Sequence, residues 1–179
     1  VDALRRQSYE NLELILINNG ATPETVEYLH EVASSDHRVK LINYEENVYS
    51  WDDPTKYVQV CWNAALAEAT GDYVWAQEDD DLIAGDYAEK MVALFQDNPE
   101  CTSAAGLMVG IDEAGNRIGS GPRVTNFRSR YMPGHLLALD YLRGGKAIFA
   151  APGTIFTFKR DVLTAAGGFH RSVILSQLY

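Results

Sequence analysis

Apolar and polar positions fall along this chain in blocks that predict a regular order of elements. Leu14-Ile15-Leu16-Ile17 is an unbroken apolar run closed by Asn18-Asn19-Gly20. A run without polar alternation suits a strand buried on both faces, as in a parallel sheet beneath helices. Asn-Gly then turns the chain. Thr22 is placed to cap a helix, and Pro23 suits its first position. Val26, Leu29, His30 and Ala33 recur at helical spacing and predict a helix over about residues 23–34. Residues 39–44 read as the next strand, and 45–54 as a polar loop holding Trp51, Asp52, Asp53 and Pro54. Tyr57, Val60, Cys61, Ala64 and Ala67 predict a helix over about 55–69, ended by Gly71. Tyr73-Val74-Trp75-Ala76 is a third short strand that runs into Glu78-Asp79-Asp80-Asp81, and a helix over about 86–96 follows. This alternation predicts an α/β fold with right-handed crossovers and a mostly parallel central sheet flanked by helices.

The second half changes character. Residues 103–111 read as a strand, 112–116 as a turn, and Arg117-Ile118 as the start of a returning strand. Residues 119–134 predict a long loop rich in Gly, Pro, Arg and aromatics, a kind of segment that is often functional. A helix over about 134–143 and strands at 147–151 and 154–158 come next. A short helix beginning at Arg160 ends at Gly167-Gly168-Phe169.

Composition narrows the class. With 179 residues and 46% hydrophobic content, the chain predicts a single globular domain. No apolar run approaches the roughly 18–20 residues that a membrane-spanning helix requires, and no signal peptide opens the chain. The opening Val1-Asp2-Ala3-Leu4-Arg5-Arg6 reads as a helix interior without an initiating Met, which predicts a fragment. A net charge of −10 repels phosphate backbones and anionic lipid, so nucleic acid is excluded as a partner of the whole domain. Cys61 and Cys101 fit no metal or redox spacing and read as reduced thiols of a cytoplasmic protein, placed in solution or peripherally at the membrane.

Candidate chemistry gathers at strand ends, where open parallel sheets bind ligands. Asn18 and Asn19 follow the first strand, Asn47 lies beyond the second, and Glu78, Asp79, Asp80 and Asp81 follow the third. Consecutive carboxylates repel one another, and a counter-ion relieves that repulsion. Residues i and i+2 point the same way along an extended chain, so Glu78 and Asp80 share a face and Asp79 takes the other. Oxygen-only donors select Mg²⁺ or Mn²⁺. The plainer alternative makes the cluster a solvated turn, with Asp81 capping the next helix. Asn18 and Asn19 either terminate a strand or pair with the edge of a base. Trp62 packs into the core while Asn63 faces the cleft.

These motifs together resemble family 2 glycosyltransferases. The resemblance rests on Gln7-Ser8-Tyr9, then Leu12-Glu13-Leu14-Ile15, and Asn18-Asn19-Gly20-Ala21-Thr22, where that family carries Asp-Asp-Gly-Ser-Thr-Asp. It continues through Asn63, Ala69-Thr70-Gly71-Asp72-Tyr73, Glu78-Asp79-Asp80-Asp81 and Gly167-Gly168-Phe169. These short motifs, in order, span nearly the whole chain.

The resemblance implies a GT-A, Rossmann-like domain that binds a nucleotide-diphosphate sugar, with a UDP-sugar as first choice, and a carbohydrate or lipid-linked acceptor. It implies a donor-binding half at 1–100 and an acceptor-side half at 101–179. Donor contacts fall on Asn18, Asn19, Asn47, Asn63, Glu78, Asp79 and Asp80. Asp80 and Glu78 become the ligands of Mn²⁺ or Mg²⁺, Asp79 faces the ribose, and Asn19 or Asn18 reads the base. Gly153 and Thr154 become acceptor contacts, with Arg123, Arg128 and Arg130 as candidates for phosphate. The family's first strand is missing, and Trp62 stands where an Arg is usual. No carboxylate follows Phe169, which places the general base beyond Tyr179 and leaves His170 as a weak substitute. The expected reaction is inverting sugar transfer to a hydroxyl. A sugar-1-phosphate nucleotidyltransferase, a degenerate ligand-binding module and a phosphoacceptor receiver domain are the alternatives.

Overall fold

The computed structural model describes residues 1–54, 56–106, 109–118, 133–136, 139 and 156–169. A one-turn helix α1 (Asp2–Arg5) precedes β1 (Leu14–Asn19), α2 (Pro23–Ser35) and β2 (Val39–Tyr44). A wide-turned π-helical segment, Val58–Trp62, runs directly into α3 (Asn63–Glu68). Next come β3 (Tyr73–Trp75), α4 (Tyr87–Asp97), β4 (Ser103–Ala105) and the two-residue strands β5 (Gly110–Ile111) and β6 (Arg117–Ile118). The described chain closes with β7 (Phe156–Lys159), which passes into α5 (Arg160–Ala165).

β1 and β2 form the predicted parallel pair, with Leu14 opposite Val39 and Asn18 opposite Asn43. Their apolar faces close on α2, so Leu14, Val32 and Val39 are buried together and Leu4, Leu16 and Ala33 pack around them. Thr22 caps α2 by accepting from the Thr25 N–H at 3.5 Å, and Pro23 begins the helix as its fixed φ favours. At the far end, Asp36 accepts from Arg5 Nε at 3.2 Å and from Arg38 Nη2 at 2.9 Å, which pins α1 beside the helix end. The Arg38 guanidinium holds the Asp36 carboxyl well below the usual carboxylate range.

The expectation of a mostly parallel central sheet is corrected at β3. Among the described residues β3 does not pair with β1. It pairs antiparallel with β7, and β7 pairs antiparallel with β4 on its other side. The crossover rule governs strands joined through one helix, and β7 lies far along the chain from β3. Its return direction is therefore free to be antiparallel. The strand foreseen over 103–111 splits into β4 and β5, and β5 and β6 form a small hairpin around Asp112. Aromatic contacts bind the second sheet to α4: Tyr73 stacks on buried Phe95 at 4.6 Å, and Trp75 meets Tyr87 edge-on at 5.6 Å. The Tyr87 hydroxyl and the buried Thr157 hydroxyl lie 2.9 Å apart. The loop, helix and strand foreseen over 119–155 fall largely outside the described residues.

Candidate active site

The acidic cluster begins where β3 ends. The Gln77 side-chain amide donates to the carbonyls of both Glu78 and Asp81 at 3.3 Å, which curls the backbone into a turn. Carboxylate oxygens of Glu78, Asp80 and Asp81 lie within 4.8 Å of one another. Asp79 is exposed and stands outside this group. Asp81 does not cap the next helix as foreseen. Irregular chain intervenes, and the cap position of α4 is Asp86, which pairs with Lys90 Nζ at 2.6 Å.

In the sequence Tyr57 marks only a helix face. In the fold, its hydroxyl donates to Glu78 Oε1 at 3.1 Å. Burial pushes the Glu78 carboxyl up, the Tyr57 hydrogen bond draws it back, and the neighbouring carboxylates raise it further. Tyr57 itself is pushed up to about 12, first by burial and then by the Glu78 charge, so at neutral pH it is a donor. Converging hard oxygens with mutual repulsion form a donor set that suits Mg²⁺ or Mn²⁺ and no soft metal.

The asparagines after β1 are bound into the scaffold. Asn18 is 3% exposed. Its Nδ2 donates to Asn43 Oδ1 at 2.6 Å and to the Tyr44 carbonyl at 3.3 Å, while its Oδ1 accepts from the Ala21 N–H at 2.8 Å. Asn19 donates to Asn47 Oδ1 at 3.0 Å and accepts from the Val48 N–H at 2.9 Å. Asn47 Oδ1 also accepts from the Tyr49 N–H at 2.8 Å. Gly20 between them has φ of +69°, and a Cβ there would collide with the Asn47 backbone. Two separate constraints therefore demand glycine. These contacts hold the loop after β2 against the end of β1, and Tyr49 carries it on toward Tyr57, with ring centroids 6.3 Å apart.

Asn63, expected to face the cleft, is turned to a different task. Its Nδ2 donates to the Phe169 carbonyl at 3.0 Å and its Oδ1 accepts from the Phe169 N–H at 2.8 Å. Trp62 and Phe158 flank the same phenyl ring, at 5.2 and 6.2 Å. Glu13, a carboxylate in the strand-leading position, accepts from the Thr70 and Gly71 N–H groups at 2.5 and 2.9 Å and from Lys40 Nζ at 2.9 Å. Burial alone would raise its carboxyl, yet these donors lower it to about 2. Gln7 is buried and ties α1 to α4 through the Ala84 carbonyl and the Ala88 N–H. The periodicity of the sequence gives no sign of either role, because each depends on backbone groups far along the chain.

Gly153, Thr154, Arg123, Arg128, Arg130 and His170 lie outside the described residues, as does the chain around Tyr179. Two open depressions, one lined by Arg5, Asp36 and Arg38 and the other by Asp72, Lys159 and Asp161, lie apart from the acidic cluster. Among the described residues no helix is long and apolar enough to cross a membrane.

Comparison with known proteins agrees with the family resemblance. Two Haemophilus influenzae proteins, each described as an uncharacterized glycosyltransferase, are 36% identical over 92 residues and 29% identical over 103 residues. Those alignments cover 51% and 58% of this chain, but only 34% and 29% of the relatives. The Streptococcus pneumoniae glycosyltransferase GlyA is 30% identical over 91 residues, covering 51% of this chain and 12% of its own length. The chain thus spans about a third of the Haemophilus relatives. The sequence profile of glycosyl transferase family 2 matches residues 1–165, nearly all of the sequence, and the chain belongs to that family.

Proposed function

We propose that this chain carries the donor-binding half and an acceptor-side half of an inverting, metal-dependent glycosyltransferase that moves a sugar from a nucleotide-diphosphate sugar to an acceptor hydroxyl. The carrying observation is the convergence of Glu78, Asp80 and Asp81 at the end of β3 in a chain of this family. Asp80 and Glu78 hold a divalent cation, Mn²⁺ or Mg²⁺. Such an ion, when bound, acts as a Lewis acid that offsets charge developing on the departing diphosphate. Tyr57 fixes one oxygen of Glu78 by donating to it. Exposed Asp79 is free to accept from a ribose hydroxyl.

The base falls to Asn19 in this reading. Asn18 is buried with both amide hydrogens engaged. Asn19 keeps a second lone pair on Oδ1 and a second hydrogen on Nδ2, a donor–acceptor pair that matches the edge of a pyrimidine. That complementarity supports a UDP-sugar. Asn47 positions Asn19, and Asn63 positions the Gly-Gly-Phe segment from which the acceptor-side half continues. Gly153 and Thr154 contribute to the acceptor side, whose substrate is a carbohydrate or a lipid-linked sugar. A carboxylate base takes the acceptor proton.

A calorimetric panel on the intact protein tests this, using UDP-, GDP- and dTDP-sugars with and without Mn²⁺. Binding of UDP-sugars that requires the ion, with release of UDP when acceptor is supplied, is expected. Equal binding of all three nucleotides without Mn²⁺, or diphosphate release from a nucleoside triphosphate, would overturn it.

A further inference from the structure

Trp51 is 87% exposed, on the loop that joins β2 to the π-helical segment. An indole offers more apolar area than any other side chain, so folding ordinarily covers it. Here the fold holds it out. Its ring meets Tyr49 edge-to-face, with centroids 5.3 Å apart and planes at 89°. The backbone on either side is fixed by the Tyr49 N–H on Asn47 Oδ1 and by the Asp53 N–H on the Ser50 carbonyl, at 2.8 and 3.2 Å. Tyr49 lies against Tyr57, and Tyr57 holds Glu78. The exposed indole is therefore two ring contacts from the acidic cluster, on a loop tied at its other end to Asn19.

We propose that Trp51, backed by Tyr49, is a stacking platform for a sugar ring. A pyranose has an apolar C–H face that fits an aromatic plane, and a rim of hydroxyls that must find acceptors when water leaves. Asp52, next in the chain, is exposed and supplies such acceptors. A neutral polyol meets no repulsion from a chain of net charge −10, whereas a phosphate-bearing group does unless a cation accompanies it. The sugar belongs either to the donor or to the acceptor, and this assignment rests on the glycosyltransferase reading above.

The test uses intrinsic tryptophan fluorescence of the intact protein, compared with Trp51→Ala and Trp51→Phe. The probes are UDP, UDP-glucose and UDP-N-acetylglucosamine, each with Mn²⁺, and the methyl glycosides of glucose, galactose, N-acetylglucosamine and rhamnose. A signal that depends on Trp51 should appear with a nucleotide sugar or a glycoside and not with UDP. Affinity for that probe should fall about tenfold in Trp51→Ala and much less in Trp51→Phe, with unchanged melting temperatures. A response to nucleotide sugars alone assigns the platform to the donor, and a response to free glycosides assigns it to the acceptor. The same signal with UDP would make the indole a base platform and overturn the proposal, as would no signal from Trp51 with any probe. In that last case, ion-dependent binding of nucleotide sugars by calorimetry would leave the glycosyltransferase reading standing.

Discussion

Asn63 and Phe169 stand 106 residues apart and exchange two hydrogen bonds, from side-chain amide to backbone amide. The pairing satisfies a strandless stretch of backbone as a β-ladder would. Asn63→Ala removes both bonds and leaves the Phe169 backbone without a partner. The expected loss is about 1–3 kcal/mol, read from the urea midpoint. Asn63→Asp keeps an acceptor for the N–H but sets a carboxylate oxygen against the Phe169 carbonyl, so it should be at least as damaging.

Gly168 and Gly115 make an internal comparison. Their φ angles are +81° and +80°, so an added methyl group strains both backbones alike. At Gly115 a Cβ meets nothing, whereas at Gly168 it would overlap Asn63 Oδ1. Gly115→Ala should cost about 1 kcal/mol. Gly168→Ala should cost clearly more and should lose its excess in an Asn63→Ala background, as a double-mutant cycle would show.

Asp80 and Asp79 are neighbours with different surroundings. Asp80→Asn should weaken Mn²⁺ binding by about tenfold or more, measured by electron paramagnetic resonance on the intact protein. Asp79→Asn, outside the convergent group, should leave the ion's affinity within about twofold. Equal effects at the two positions would remove the basis for assigning the ion to this cluster.

Glu13 supplies a pH dependence with a defined sign. Its carboxyl falls from an ordinary 4.5 to about 2 on folding, with burial opposing and hydrogen bonds from Thr70, Lys40 and Gly71 prevailing. The folded state therefore binds the proton less readily than the unfolded chain. Stability is fully present above pH 4.5 and is lost as pH falls toward 2. After allowance for solvent screening this amounts to about 1–2 kcal/mol. Glu13→Gln should be less stable than the parent at pH 7, and the gap should close near pH 2. Glu78 carries the opposite sign. Burial raises it, so its contribution falls as pH rises above the ordinary carboxylate range.

The elements legible in the sequence were those set by local pattern. The apolar run at Leu14, the cap at Thr22 with Pro23, and the turn at Asp112 each declare themselves within a few residues. They appear at β1, α2 and the β5–β6 hairpin. What stayed hidden depends on distant pairing. Nothing near Tyr73 says that its strand will join Lys159 rather than the first sheet, since three residues carry too little pattern to fix a partner. Among candidate site residues, the acidic run was visible because clustered charge is costly without a purpose. The roles of Tyr57 and Asn63 were not, because an aromatic or an amide on a helix looks alike whether it faces a carboxylate, a backbone or solvent.

The orientation of the Asn18 amide follows from its neighbours. The Ala21 N–H can only donate and the Tyr44 carbonyl can only accept, so the nitrogen must face β2. An aspartate in that position would press a negative oxygen on the carbonyl and force Asn43 to turn over. An acidic residue there would thus unsettle the seam between the first two strands before it could improve any ligand. The amide at this position serves the way the chain is assembled.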